Sequence, residues 1–134
     1  MGKKIALKYF SVIFLFVIVI LFYIGIFYFD AYNRSPWFYD LMLHFLGGVW
    51  VAGMAFSYLE NGQKGIELIF LIMGSVALLG VAWELYEYVN FWIGIATLDP
   101  LEDILSDLFA DLSGGTIFLL AYKAKEWMPF LSKK

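Results

Sequence analysis

Three aspartates, Asp103, Asp107 and Asp111, recur every fourth residue in the stretch DILSDLFADLSGG. On a helix that spacing stacks three carboxylates on one stripe, each one turn from the next. Two other stretches repeat the pattern: Asp40 with His44, and Glu84 with Glu87. Carboxylates with an imidazole are the donor set of a hard or borderline divalent cation, and they are also the groups of a proton relay. No Lys or Arg accompanies them in these stretches. A buried cluster of that sign cannot stay fully ionised and unpaired, so protons or a cation must neutralise part of it.

The elements that carry these residues are strongly apolar. Of 134 residues, 63% are hydrophobic and 16% charged, more apolar surface than a soluble domain of this size can hide. There is no cysteine, which excludes disulfides and thiolate metal sites. The sequence therefore predicts a single all-α integral membrane domain, a bundle of four transmembrane helices over about 5–29, 36–59, 66–92 and 101–122. The third is longer than a bilayer requires and could reach Ile95. The first is too long for a signal-peptide core and ends in no small-residue cleavage site.

The turns are marked by composition. Asp30 to Ser35 is polar, and Ser35-Pro36 reads as N-cap and first helical residue. Glu60 to Gly65 (ENGQKG) is the second turn. Asp99-Pro100-Leu101-Glu102 has capping-box spacing. Residues 123–134 form a basic tail in which Pro129 is expected to end any helix. Trp37 and Trp92 mark one interface and Trp127 the other.

Eight of the nine basic residues, Lys3, Lys4, Lys8, Lys64, Lys123, Lys125, Lys133 and Lys134, fall on one side of a four-span topology, and only Arg34 on the other. The positive-inside rule then places both termini in the cytoplasm. The confinement of basic residues to ends and one loop argues against a nucleic-acid surface.

Depth and face now converge. Asp40 and His44, Glu84 and Glu87, and the three aspartates all lie in the outer halves of the last three spans. Small residues continue the same stripes deeper: Gly47 and Gly48, Gly80, then Gly114 and Gly115. Small residues let membrane helices approach closely. The expected metal ligands are His44, Glu84, Glu87, Asp103 and Asp107, with Asp40 and Asp111 at the rim or behind the ligands. His44 and Glu87 are the acid–base candidates, and Ser106 is a weak nucleophile candidate. Asp103 is equally well explained as a first-turn acid favoured by the helix dipole, and His44 alone would be an ordinary packing residue.

The order Asp40-x-x-x-His44-Phe45-x-Gly47-Gly48, Glu84-x-x-Glu87-Tyr88, Asp103-x-x-x-Asp107 resembles the YjdF-like family of bacterial inner-membrane proteins. It is also similar to the broader VanZ-like group, whose last motif is Asp-x-x-x-Asn-x-x-Gly. Here Asp107-x-x-x-Asp111-x-x-Gly114 carries Asp in place of that Asn. The resemblance runs from Phe38 to Ile117. It implies a compact helical protein of the plasma (inner) membrane whose polar motifs form one site, with a role in the cell envelope, and it supplies no reaction.

The leading expectation is a site on the extracytoplasmic side that binds a divalent ion (Mg, Mn or Zn) and acts on or binds a membrane lipid or lipid-linked substrate. Competing expectations are a proton- or cation-handling transporter component and a structural or binding subunit of a membrane complex, and the sequence admits a homo-oligomer. The topology has a direct check. A cysteine probe at Ala96 should be labelled from outside and one at Gln63 only from inside; the reverse pattern would overturn it.

Overall fold

The computed structural model describes residues 2–29 and 37–131, with the side chains of residues 9, 11–25, 27 and 38–124. The expected Ser35-Pro36 helix start, the Arg34 loop, the lysines at both ends other than Lys123, and the belt positions Trp37 and Trp127 lie outside the described residues or side chains. The described chain is all-helical: α1 (Gly2–Phe29), α2 (Trp37–Leu59), α3 (Gly65–Trp92) and α4 (Leu101–Leu131).

Three segments are long and apolar enough to cross a membrane: Phe38–Leu59, Gly65–Trp92 and Leu101–Ala124. In α1 the described apolar segment is the shorter Ser11–Gly25. Many large apolar side chains point outward, among them Phe27, Phe70, Leu78 and Phe109. That suits a hydrocarbon solvent, in which an apolar surface carries no penalty.

Helix ends follow local chemistry. α3 stops at Trp92 and does not reach Ile95. Gly94 takes a left-handed φ of 77°, which costs glycine nothing. The Ile95 amide then donates back to the Asn90 carbonyl at 2.9 Å, the six-to-one bond of a Schellman ending. α4 starts one residue after Pro100, whose carbonyl accepts from the Asp103 and Ile104 amides. Its far end departs from the sequence expectation: the helix runs through Pro129 to Leu131. A proline lacks only its own amide donor and clashes with the carbonyl one turn back. In the last turn, where few intrahelical bonds remain to be made, the helix ends shortly after the proline, not at it.

α2 is the central element. It packs most extensively against α4 and also meets α1 and α3, while α4 packs on α3. The α2–α4 approach rests on glycines. A Cβ on Gly48 would collide with the Asp111 carbonyl, and one on Gly114 with the Phe45 carbonyl. Away from the acids, Val51, Ala52, Phe56, Ile72 and Val76 form a buried cluster, with Phe118, Leu119 and Tyr122 packed on it. Burying these side chains excludes water and gives the bundle its dispersion contacts. α1 is fastened to α2 by side-chain bonds to its backbone: Trp50 Nε1 donates to the Ser11 carbonyl at 2.9 Å, and the Tyr39 hydroxyl donates to the Leu21 carbonyl.

The glycine seam gives a stability prediction. Gly48→Ala and Gly114→Ala should each destabilise the folded bundle by about 1–3 kcal/mol, the usual cost of overpacking. Gly74→Ala, where a new Cβ would meet nothing within 4 Å, should be neutral or stabilising. Thermal unfolding in detergent, followed by tryptophan fluorescence, checks all three.

Candidate functional site

Three helices bring the acids together. α2 supplies Asp40 and His44 from its first turns, α3 supplies Glu84 and Glu87 near its end, and α4 supplies Asp107 and Asp111 from its first three turns. Antiparallel connections through short turns put these helix portions at one end of the bundle. The packing then buries His44 (6% exposed), Asp107 (3%) and Asp111 (6%).

His44 faces a different carboxylate with each nitrogen. Nδ1 lies 3.3 Å from Asp111 Oδ2, and Nε2 lies 3.9 Å from Glu84 Oε1. Against a carboxylate, which can only accept, Nδ1 would carry the hydrogen and donate it. In the neutral ring Nε2 then presents a lone pair toward a carboxylate oxygen, and in the imidazolium it presents a hydrogen and pairs with Glu84 as an ion. Both Nε2 and Glu84 Oε1 are buried without a hydrogen-bond partner. At 3.9 Å their separation is too long for a hydrogen bond in either protonation state.

The wider arrangement has room for a charge between them. One ligand atom each from His44, Glu84 and Glu87 falls within 4.8 Å of the others, and so does one each from Asp40, His44 and Asp107. Ligands about 2.0–2.2 Å from a Zn-like ion lie at most about 4.4 Å apart, so either triad needs only small side-chain adjustments to close on one. The two triads share His44. Asp111 stands behind it, in the position of a carboxylate that fixes the tautomer and orientation of a ligating imidazole.

Glycines make the seat for Asp111. A Cβ on Gly80 would stand 2.5 Å from Asp111 Oδ2, and Gly48 lies against the Asp111 backbone. Gly47 sits less tightly, since its Cβ would meet only Asp111 Oδ1 at 3.8 Å. Gly115 packs deeper, toward Val76 and Met73.

The remaining sequence candidates distribute as follows. Asp103 is half-buried and belongs to neither triad. Asp40 is half-buried and joins the triad with Asp107. Ser106 is exposed and donates to the Glu102 carbonyl of its own helix, which leaves it turned away from the cluster's buried core. Asn90 was not singled out by the acid pattern, yet it is 6% exposed with Nδ2 lacking a partner. A lone amide in an apolar span is itself a signal of this kind.

Two cavities border the cluster. A lateral one of about 300 Å³ lies between α1, α2 and α3 and ends on Asp40, His44 and Asp111. A small one of about 20 Å³ adjoins Glu84 and Glu87 and reaches Thr97 and Asp99 in the α3–α4 turn. The acids therefore border one apolar cavity at the side and a second, much smaller one of mixed lining near the end of the bundle.

Among known proteins, a family model described as "Predicted membrane protein (DUF2238)" matches residues 1–126. No curated protein and no solved structure matches the chain.

Asp99, in the turn outside the apolar spans, carries the acidity of the cluster outward. Partial burial raises its pKa above the usual carboxylate value, and the negative charges of Asp103 and Asp40 raise it further. A raised carboxylate binds its proton more tightly in the folded state. Its contribution therefore falls as pH rises from about 3.9, the unfolded value, through the folded value. Asp99→Asn should remove that fall: in chelator-treated protein, the variant should gain stability over wild type above that window and match it below. Thermal unfolding across pH 3–8 is the measurement.

Proposed function

This chain belongs to the DUF2238 family of predicted membrane proteins, and on that premise we propose that it is a four-span membrane protein that holds a divalent cation at its extracytoplasmic end and serves an envelope lipid or lipid-linked substrate there. The observation that carries the cation is the facing pair His44 Nε2 and Glu84 Oε1, 3.9 Å apart, buried and without hydrogen-bond partners. With the imidazole neutral, two acceptors held face to face in a low-dielectric setting repel unless a proton or a cation lies between them, and the neighbouring carboxylates supply further ligands for the cation.

In this reading His44, Glu84 and Glu87 are the ligands, and Asp111 fixes the imidazole. Asp107 and Asp40 form the adjoining triad on the same histidine, while Asp103 lies toward the rim. Imidazole with carboxylate favours Mn or Zn over Ca, with Mg the weaker fit because it prefers an all-oxygen shell. A bound cation would polarise a phosphate oxygen at headgroup depth, and no Lys or Arg of the three apolar spans stands there to do so. His44 and Glu87 are then the groups placed to exchange a proton with a bound substrate.

The fourth span would be α1, and the lysine-rich side, with both termini, would be cytoplasmic. The YjdF-like or VanZ-like assignment and an envelope role agree with this orientation and remain part of the same proposal. A proton-relay reading is less favoured because the inner portion holds the apolar cluster of Val51, Ala52, Phe56, Ile72 and Val76, which interrupts any polar path.

Protein purified without chelator should carry metal near one equivalent, and added Mn or Zn should raise its thermal midpoint. Glu84→Gln should abolish loading. Asp111→Asn, which keeps an acceptor for Nδ1 but loses the charge, should weaken binding about 10–100-fold. Elemental analysis and metal titration check this. A wild-type protein that holds no ion and gains no stability from Mg, Mn, Zn or Ca would move the proton relay to first place.

A further inference from the structure

The lateral cavity is a feature the cation reading does not use. Its walls are hydrocarbon: Leu15, Val19 and Phe22 from α1, Val51 from α2, and Val76 and Leu79 from α3. Val19 and Leu79 are 39% and 49% exposed, so the cavity's side opens toward the surface a bilayer would cover. One end is bounded by Phe22 against Trp83, with ring centroids 5.6 Å apart. The α1–α2 seam is closed by Trp50 bonded to the Ser11 carbonyl. A volume of about 300 Å³ lies at the bottom of the range of ligand pockets, roughly 300–1,000 Å³, which suits one chain and not two.

The polar end selects the head that such a chain carries. Among the described residues its ionisable groups are Asp40, His44 and Asp111, and no described Lys or Arg lines it. Asp111 is engaged with His44. Asp40 is half-buried, near the end of the bundle where headgroups lie, and a carboxylate there accepts hydrogen bonds but cannot donate them. An anionic head meets repulsion at this end, while an ammonium with N–H donors meets a charged acceptor.

We propose that the cavity between α1, α2 and α3 seats one hydrocarbon chain of an amine-headed membrane lipid that enters from the side, with its ammonium on Asp40. The proposal rests on the lipid part of the proposed function and takes the cation at His44, Glu84 and Glu87, which leaves Asp40 to the ammonium.

The test is native mass spectrometry of the full chain with equimolar phosphatidylethanolamine, phosphatidylglycerol and phosphatidylcholine, with metal content measured on the same preparations. Phosphatidylethanolamine should be retained about tenfold over phosphatidylglycerol, the ratio one charge-assisted hydrogen bond supports. Phosphatidylcholine, which has the charge but no N–H, should fall between them. Asp40→Asn should erase the preference. Leu79→Trp and Val19→Trp, both at partly exposed wall positions, should each displace the lipid and leave metal content unchanged. Equal retention of phosphatidylethanolamine and phosphatidylglycerol by wild type, or undiminished lipid in both tryptophan variants, would overturn the proposal. Metal-free protein that still selects phosphatidylethanolamine would overturn the cation reading alone.

Discussion

The structure depends on one electrostatic constraint: a histidine held between carboxylates where water is scarce. His44 Nδ1 has its partner in Asp111, and that bond turns Nε2 toward Glu84 across 3.9 Å. Moving charged or strongly polar groups out of water is costly unless each finds a partner. The rest of the bundle is arranged around making that placement tolerable. Gly48 and Gly114 let α2 and α4 approach until Asp111 reaches the imidazole, and Gly80 leaves space for its carboxylate. With larger residues at those positions, Asp111 would be displaced and His44 would lose the bond that fixes its orientation.

A division of labour follows along the membrane normal. Toward one end, acids from three helices meet; toward the other, Phe56 packs on Tyr122, with ring centroids 4.2 Å apart, among Ile72 and Val76. The apolar half supplies packing that does not depend on the state of the acids. The polar half can therefore carry groups that are unfavourable on their own, a pattern expected where local strain serves a function and is offset elsewhere.

Much of this was legible in the sequence. The helices show as long, predominantly apolar runs, and α3 begins and ends within a residue of the expected 66–92. The shared depth of Asp40, His44, Glu84, Glu87 and Asp107 follows from their distance to the turns. What the sequence could not rank was the aspartate stripe. Asp103, Asp107 and Asp111 are equivalent by spacing, yet Asp107 and Asp111 are buried and Asp103 is not. The difference comes from where α2 crosses α4, and the glycines that fix that crossing reveal their partners only in three dimensions. The cavity was equally invisible. It is closed by α1, which carries no charged residue from Tyr9 to Phe29 to mark a face, and whose position is set by Tyr39 and Trp50 donating to backbone carbonyls. A carbonyl acceptor leaves no trace in residue type.

His44 also joins the two openings of the site. Its neighbours Asp40 and Asp111 line the apolar cavity, while its partner Glu84 lines the small opening toward Thr97 and Asp99. The imidazole lines the hydrocarbon space, and Glu84, 3.9 Å from its Nε2, lines the small opening near the end of the bundle. A charge bound on one side would change the field felt on the other, because fields are weakly screened in a low-dielectric interior. Such coupling requires no conformational change. It needs only that one buried ring present different nitrogens to different neighbours, which the 3.3 and 3.9 Å separations describe.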